Sequence, residues 1–371
     1  MQACQEAGRS YVTGVRANSG YGSRVVLAMA LLFATATAHA QTSTCEACPV
    51  VVPFVELNTS AAPIVPSTFQ SVLLTEGGRL LVSHRTANPP QIAVYDTTGR
   101  FIDLHVREGE GPGEFRWAPQ LTPGPAGTVW AWEQERLVRL DARLRHMDTR
   151  NMGRQISVRW SIPLSSGMVV AESAAPREVS IVSLMDSAGK VIRNVERAPE
   201  TYASAIAAPA SANGFWTLHS NQLLLRRYSD TGELVGTVPI TIDDFEPWSG
   251  RLAGEGNEGM ELPPRPRHVG LVDIGNNGMI VLTRVLDPNW KPRSSARMLR
   301  LHEIVLDGQH DTVIRVVDLR TGRVVGSTRA PQHLIAVAGA RDLFYTTRIA
   351  PDGHVITEIV RVAAGGTNRA Q

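Results

Sequence analysis

One short turn returns along this chain at nearly constant intervals, and it limits the possible folds more than any other feature. The turn is polar and closes on glycine between two β-branched stretches. It reads Tyr95-Asp96-Thr97-Thr98-Gly99, Leu140-Asp141-Ala142-Arg143, Met185-Asp186-Ser187-Ala188-Gly189, Ser229-Asp230-Thr231-Gly232 and Asp318-Leu319-Arg320-Thr321-Gly322. Glycine supplies the positive φ that a tight hairpin needs. Gly99 and Gly189 stand 90 residues apart, two units of 45, Gly189 and Gly232 stand 43 apart, and Gly232 and Gly322 stand 90 apart with one clear unit between them. A sixth, partial unit follows, with strands expected near 334–337, 343–347 and 355–362. Four strands in about 45 residues make a propeller blade.

The spacing therefore predicts an all-β chain: a six-bladed β-propeller of four-stranded antiparallel blades. The last unit lacks an outer strand. Residues 50–57 are β-rich and are predicted to supply it, which closes the ring and removes free sheet edges. Seven blades is the alternative, if one hides before Gly322. The stretches 243–267 and 287–311 are read instead as insertions, because proline, glycine and charge dominate 243–267 and 287–300.

Outside the repeats, residues 1–40 read as an export signal. Arg9, Arg16 and Arg24 precede the apolar run 25–34, and Ala38-His39-Ala40 is a small-x-small cleavage site. That run is shorter than the roughly 20 residues of a membrane span, so no span is expected in the mature chain. The full chain has 37 basic and 35 acidic residues, and removing Arg9, Arg16, Arg24 and Glu6 with the leader makes the two equal. A neutral domain argues against nucleic acid as a partner. Location is expected to be periplasmic or secreted.

A short tail, 41–49, carries Cys45 and Cys48. In an exported protein the C-x-x-C spacing fits a local disulfide, a redox pair or two free thiols. Pro49 stands where haem attachment needs histidine, and no second pair completes a zinc site. The propeller is assigned to 50–366.

Between the first two units stands Arg107-Glu108-Gly109-Glu110-Gly111-Pro112-Gly113-Glu114-Phe115. This G-x-G-P-G-E-F string, with the repeats, resembles exported bacterial six-bladed β-propellers of the NHL and TolB-like group. The resemblance implies fold and compartment and says little about activity. A dinucleotide loop is excluded, since Pro112 interrupts the pattern and no helix follows. The glycines are expected to turn the chain between blades, with Glu114 and Phe115 capping and packing the junction.

In a meander, loops joining strands two and three share a face with the loops joining successive blades. Both insertions and the glycine-rich loop are thus expected on one face. Aligning the second strands places His84, Glu133, Glu172, His219, Arg284 and Arg348 at equivalent ends there. Such a ring suits a polar ligand at a channel mouth. Its two histidines and two carboxylates would also suit zinc or calcium, although no cofactor is predicted. The plainer reading is that these residues solvate strand ends or pair with neighbours. Trp248 and Trp290 lie in the insertions, where they would stack on a ligand or pack the loops onto the ring. Acidic residues in the first insertion (Asp243, Asp244, Glu246, Glu255, Glu258, Glu261) face basic ones in the second (Lys291, Arg293, Arg297, Arg300), as in a paired lid. No zinc-protease helix or G-x-S-x-G elbow occurs. The expected function is a scaffold binding a protein, peptide or glycan of the cell envelope. The alternative is an NHL-like or lactonase-like metal-dependent enzyme.

Overall fold

A computed structural model of the protein describes residues 48–57, 70–84, 89–106, 108–133, 135–152, 157–174, 181–197, 204–246, 266–290, 310–349 and 355–365. Six four-stranded antiparallel sheets form a ring. The chain enters through β1 (Pro49–Leu57). Blade one is β2 (Gln70–Leu74), β3 (Arg79–His84), β4 (Gln91–Asp96) and β5 (Phe101–Val106); blade two is β6 (Gln120–Pro123), β7 (Val129–Glu133), β8 (Arg136–Leu140) and β9 (His146–Asn151). Blade three is β10 (Ser157–Pro163), β11 (Val169–Ala174), β12 (Ile181–Met185) and β13 (Val191–Arg197); blade four is β14 (Ala205–Pro209), β15 (Phe215–His219), β16 (Leu224–Tyr228) and β17 (Leu234–Pro239). Blade five is β18 (Arg267–Gly275), β19 (Gly278–Leu286), β20 (His310–Asp318) and β21 (Arg323–Ala330); blade six is β22 (Ile335–Ala336), β23 (Leu343–Ile349), β24 (Val355–Ala364) and, on its outside, β1.

The predicted count and closure both hold. First strands touch first strands of neighbouring blades, so they line the axis, and a bridge from Leu73 to Ala338 joins blade one to blade six. β1 pairs with β24 from Pro49↔Ala364 to Leu57↔Thr357, so one blade is built from both ends of the ring. The long interval before Gly322 contains no seventh blade among the described residues. It is filled by the stretch between β17 and β18 and by the stretch between β19 and β20.

The recurring turn is one structure made five times. The residue that opens it, Asp96, Asp141, Asp186, Ser229 or Asp318, accepts backbone N–H bonds from two, or two and four, residues further on. The fourth position takes a positive φ at Gly99 (81°), Gly189 (84°) and Gly232 (74°), and in the last turn, one residue longer, the fifth does, Gly322 at 68°. Blade two has no glycine there, and Leu144 adopts φ 61° in its place. Leu144 is buried with Phe115 and Leu140, so the apolar contact offsets a backbone cost of about 1–2 kcal/mol. Each of these turns also follows a register shift between third and fourth strands, as at Val94/Tyr95 and Val316/Val317.

The core is six apolar clusters, one per blade junction. Successive strand residues point to opposite faces. In β3, Leu80 and Val82 accordingly pack toward blade six and Leu81 toward blade two. Both faces are buried, which is why alternation in the sequence is weak. At the root of the first insertion, Ile240, Ile242 and Phe245 belong to the junction of blades four and five. Phe245 stacks on His268 at 4.2 Å between ring centroids.

Candidate functional site

Arg267 opens β18 opposite Arg284 on β19, while Gly275 and Gly278 form the turn at the other end of this pair. The first insertion ends at β18 and the second begins after β19. Both therefore meet blade five at the same end, on one face of the ring. The glycine-rich loop between β5 and β6 lies on that face too.

That loop is folded around its own glutamate. The Glu114 carboxylate accepts the Gly111 N–H at 2.8 Å and lies where a Cβ on Gly109 would stand. Gly109 N–H donates to the Phe115 carbonyl at 3.2 Å. Phe115 is buried between blades one and two, and Arg136 donates to the Gly111 and Glu114 carbonyls. These contacts are structural, as expected of the junction. Arg107 lies outside the described residues. Just beyond the loop, Arg116 pairs with Glu110, and Trp117 stands 60% exposed on the insertion-bearing face.

The aligned strand ends share one end of their blades but not one face. His84, Glu133, His219 and Arg348 alternate with residues packed on the preceding blade, whereas Glu172 and Arg284 alternate with residues packed on the following one. Most are engaged with nearby partners. Glu133 accepts the Trp117 N–H at 2.5 Å and pairs with Arg136 at 3.5 Å. Glu172 is fully buried, paired with Arg159 at 3.4 Å and accepting the Ala205 N–H at 3.3 Å. His219 contacts Glu196 at 2.5 Å, and that carboxylate also takes the Thr217 hydroxyl at 2.7 Å and Arg226 at 3.2 Å. Burial works to raise the Glu196 carboxyl, but His219, Thr217 and Arg226 together hold it below its ordinary value. Arg348 reaches outward to Glu358 at 2.7 Å and Glu56 at 3.2 Å, tying β23 to the closing strand.

Two members of the ring differ. His84 is 1% exposed, and neither ring nitrogen has a hydrogen-bond partner among the described residues. Burial alone pushes its pKa down to about 4. Arg284 is half-buried, and its Nε is shielded from solvent with no hydrogen-bond partner among the described residues. Burial, and next the Arg267 guanidinium, lower it to about 10. Among the described residues no three His, Cys, Asp or Glu side chains gather into a group that could hold a metal ion.

The described residues include only the roots of the insertions. Asp244 pairs with Arg315 of β20 at 2.6 Å. Trp290 lies just past β19, half-buried, its backbone N–H donating to Asp287 at 3.0 Å. Trp248, Glu255, Glu258, Glu261, Lys291, Arg293, Arg297 and Arg300 fall outside the described residues, as do the export leader and Cys45. Cys48 is disulfide-bonded.

Sequence reasoning missed Trp117, Arg267, His310 and His333. Aligning first-strand starts would have found Arg267, which sits directly after the first insertion. The exposure of Trp117 has no local signature.

No family model and no curated relative match the chain. Among solved structures it is similar to a member of the DUF4221 family from Bacteroides vulgatus, at 10% identity and TM-score 0.52, over 85% of this chain and 97% of that one. A Bacteroides fragilis protein thought to be exported is similar at 12% identity and TM-score 0.50, over 85% and 96%. Virginiamycin B lyase from Staphylococcus aureus matches at 9% identity and TM-score 0.44, over 80% and 81%. At these identities the likeness shows the fold alone, and the lyase match carries no argument about chemistry.

Proposed function

We propose that this propeller works outside the cytoplasm as a binding scaffold, holding a protein, peptide or glycan of the cell envelope on its insertion-bearing face. One observation carries the reading: both insertions meet the ring at the end where Trp117 is exposed and Arg267 and Arg284 lie side by side. An exposed indole and a pair of guanidinium groups on one face of a rigid ring, at different blades, are residue types that binding hot spots favour. Glu133, Glu172, His219 and Arg348 are taken up by partners within the ring, which suits a surface that holds a partner. The disulfide at Cys48 fits an oxidising compartment, and the neighbour from Bacteroides fragilis is itself thought to be exported. No helix among the described residues is long and apolar enough to cross a membrane.

Glycan and peptide arrays probed with the purified protein test this. Trp117→Ala, and separately a short glycine-serine linker in place of 247–264, which leaves Phe245 in the core, should each weaken a captured ligand at least tenfold without changing the circular dichroism spectrum. Unchanged binding in both variants, or no ligand on either array, would refute the reading.

A further inference from the structure

Arg267 faces Arg284 across β18 and β19, and Arg284 faces Thr312 across β19 and β20. Directly opposed residues share one face of a sheet. The Thr312 hydroxyl donates to the Gln332 carbonyl at 2.8 Å and accepts the Leu334 N–H at 3.0 Å. That face of blade five is therefore turned toward the chain entering blade six. Further along it, Leu282 and Ile314 pack against Phe344 and Val360 and seal the junction. The two arginines stand where this sealed junction opens onto the insertion-bearing face.

His310 lies two residues before Thr312 and so shares its face. Its ring centroid is 6.1 Å from that of His333, which immediately precedes Leu334. The carboxylate beside His310 on β20, Asp311, alternates to the opposite face and is held by Arg329 at 2.6 Å. Among the described residues no acid forms an ion pair with Arg284. Four donor side chains thus meet at one opening, and the Arg284 Nε is shielded with no hydrogen-bond partner among the described residues.

We infer that Arg284 forms the floor of an oxyanion site, flanked by Arg267, His310 and His333, that takes a carboxylate carried by the ligand. This deepens the binding-face reading and rests on it. Arginine cannot escape burial by losing its proton near neutral pH, and a desolvated cation without a partner is costly. At about 10 the Arg284 guanidinium stays charged. Burial, helped by these same arginines, keeps His310 neutral down to about 4, and burial with Arg284 keeps His333 neutral down to about 3. The histidines therefore offer neutral ring donors, and the positive charge comes from the arginines. The guanidinium fork matches a carboxylate in a bidentate pair.

Two measurements test it. In chloride buffer free of oxyanions, Arg284→Met should melt higher than the wild type, because it removes an unpaired cation and keeps the alkyl stem. A lower melting temperature would mean that Arg284 already has an acid partner within the chain, and would overturn the site. Acetate, titrated at ionic strength held constant with sodium chloride, should raise the wild-type melting temperature saturably. Arg284→Gln should need at least tenfold more acetate. Arg348→Gln, on an arginine already paired with Glu358 and Glu56, should respond as the wild type. No saturable response, an equal response in Arg284→Gln, or a response to inorganic phosphate but not to acetate would overturn the assignment. Oligoglutamate and oligogalacturonate arms separate a peptide carboxylate from a sugar carboxylate. If acetate still saturates while the arrays stay blank, only the scaffold reading falls. If an array ligand binds Arg284→Gln unchanged, only the oxyanion site falls.

Discussion

Mild acid should weaken this ring through its buried histidines, and His84 reports the effect most cleanly. Its pKa falls from 6.5 to about 4 on folding, and burial is the only cause. An unfolded chain takes up this proton as the pH drops through 6.5, whereas the folded protein refuses it until about 4. A group depressed in this way withdraws stability between those values as pH falls, and its effect vanishes above about 7.5. Between pH 7.5 and 5.5 the linkage amounts to about 1.3 kcal/mol for this residue. His268 and His310, lowered to about 3 and about 4 chiefly by burial, act with the same sign. Three such groups together remove roughly 4 kcal/mol, a large share of the 5–15 kcal/mol that typically separates folded from unfolded states. Urea unfolding followed by tryptophan fluorescence at the two pH values measures the loss. His84→Leu keeps a side chain of similar bulk and abolishes the titration. Whatever it does to stability at pH 7.5, its further loss at pH 5.5 should be smaller than the wild type's by about 1.3 kcal/mol. Equal losses in the two proteins would refute the argument, since His84 would then be solvated or bonded in a way that accommodates its charge.

Turn glycines make a second test. Gly322 and Gly167 both have positive φ, at 68° and 79°, but a Cβ on Gly322 would collide with the Pro239 carbonyl, while one on Gly167 meets nothing within 4 Å. Gly167→Ala should cost about 1 kcal/mol in denaturant midpoint, and Gly322→Ala several times more; comparable costs would show that the neighbouring blade yields. At the root of the first insertion, Arg315 is 5% exposed and its ion pair is with Asp244. Because Asp244 is 69% exposed at its side chain, Asp244→Asn should cost only about 2 kcal/mol. Asp244→Asn with Arg315→Met should recover most of that in the same unfolding assay, and no recovery would mean that the charge pair is not the source of the loss.

The turn that fixed the blade count was readable because its chemistry is local. Asp96 reaches N–H groups two and four residues on, and the positive φ falls on the next fitting position, so residue types and spacing carry the geometry between them. Leu144 shows where that code ends. Its left-handed backbone is held by packing between blades, and leucine gives no hint of it in sequence. The rim is beyond local reading for the same reason. His84, Glu133, Glu172, His219, Arg284 and Arg348 were selected by one criterion, their place at the end of a second strand. What each one does is decided by the neighbours the fold brings to it, some near in the chain, such as Arg136 beside Glu133, and some distant. His219 meets Glu196 of the preceding blade. Arg348 meets Glu56, 292 residues away, on the strand that closes the ring. Arg284 stands at the same end of blade five but on the face toward blade six, and the residue opposite it on β18 is another arginine. A repeat therefore assigns similar positions without the same face or the same chemistry. These strand ends differ through the partners that the ring brings to them, and at Arg284 no acid among the described residues forms an ion pair. The binding face proposed above draws on that difference: Arg284 keeps a shielded Nε with no hydrogen-bond partner among the described residues, whereas the Arg348 guanidinium is taken up by Glu358 and Glu56.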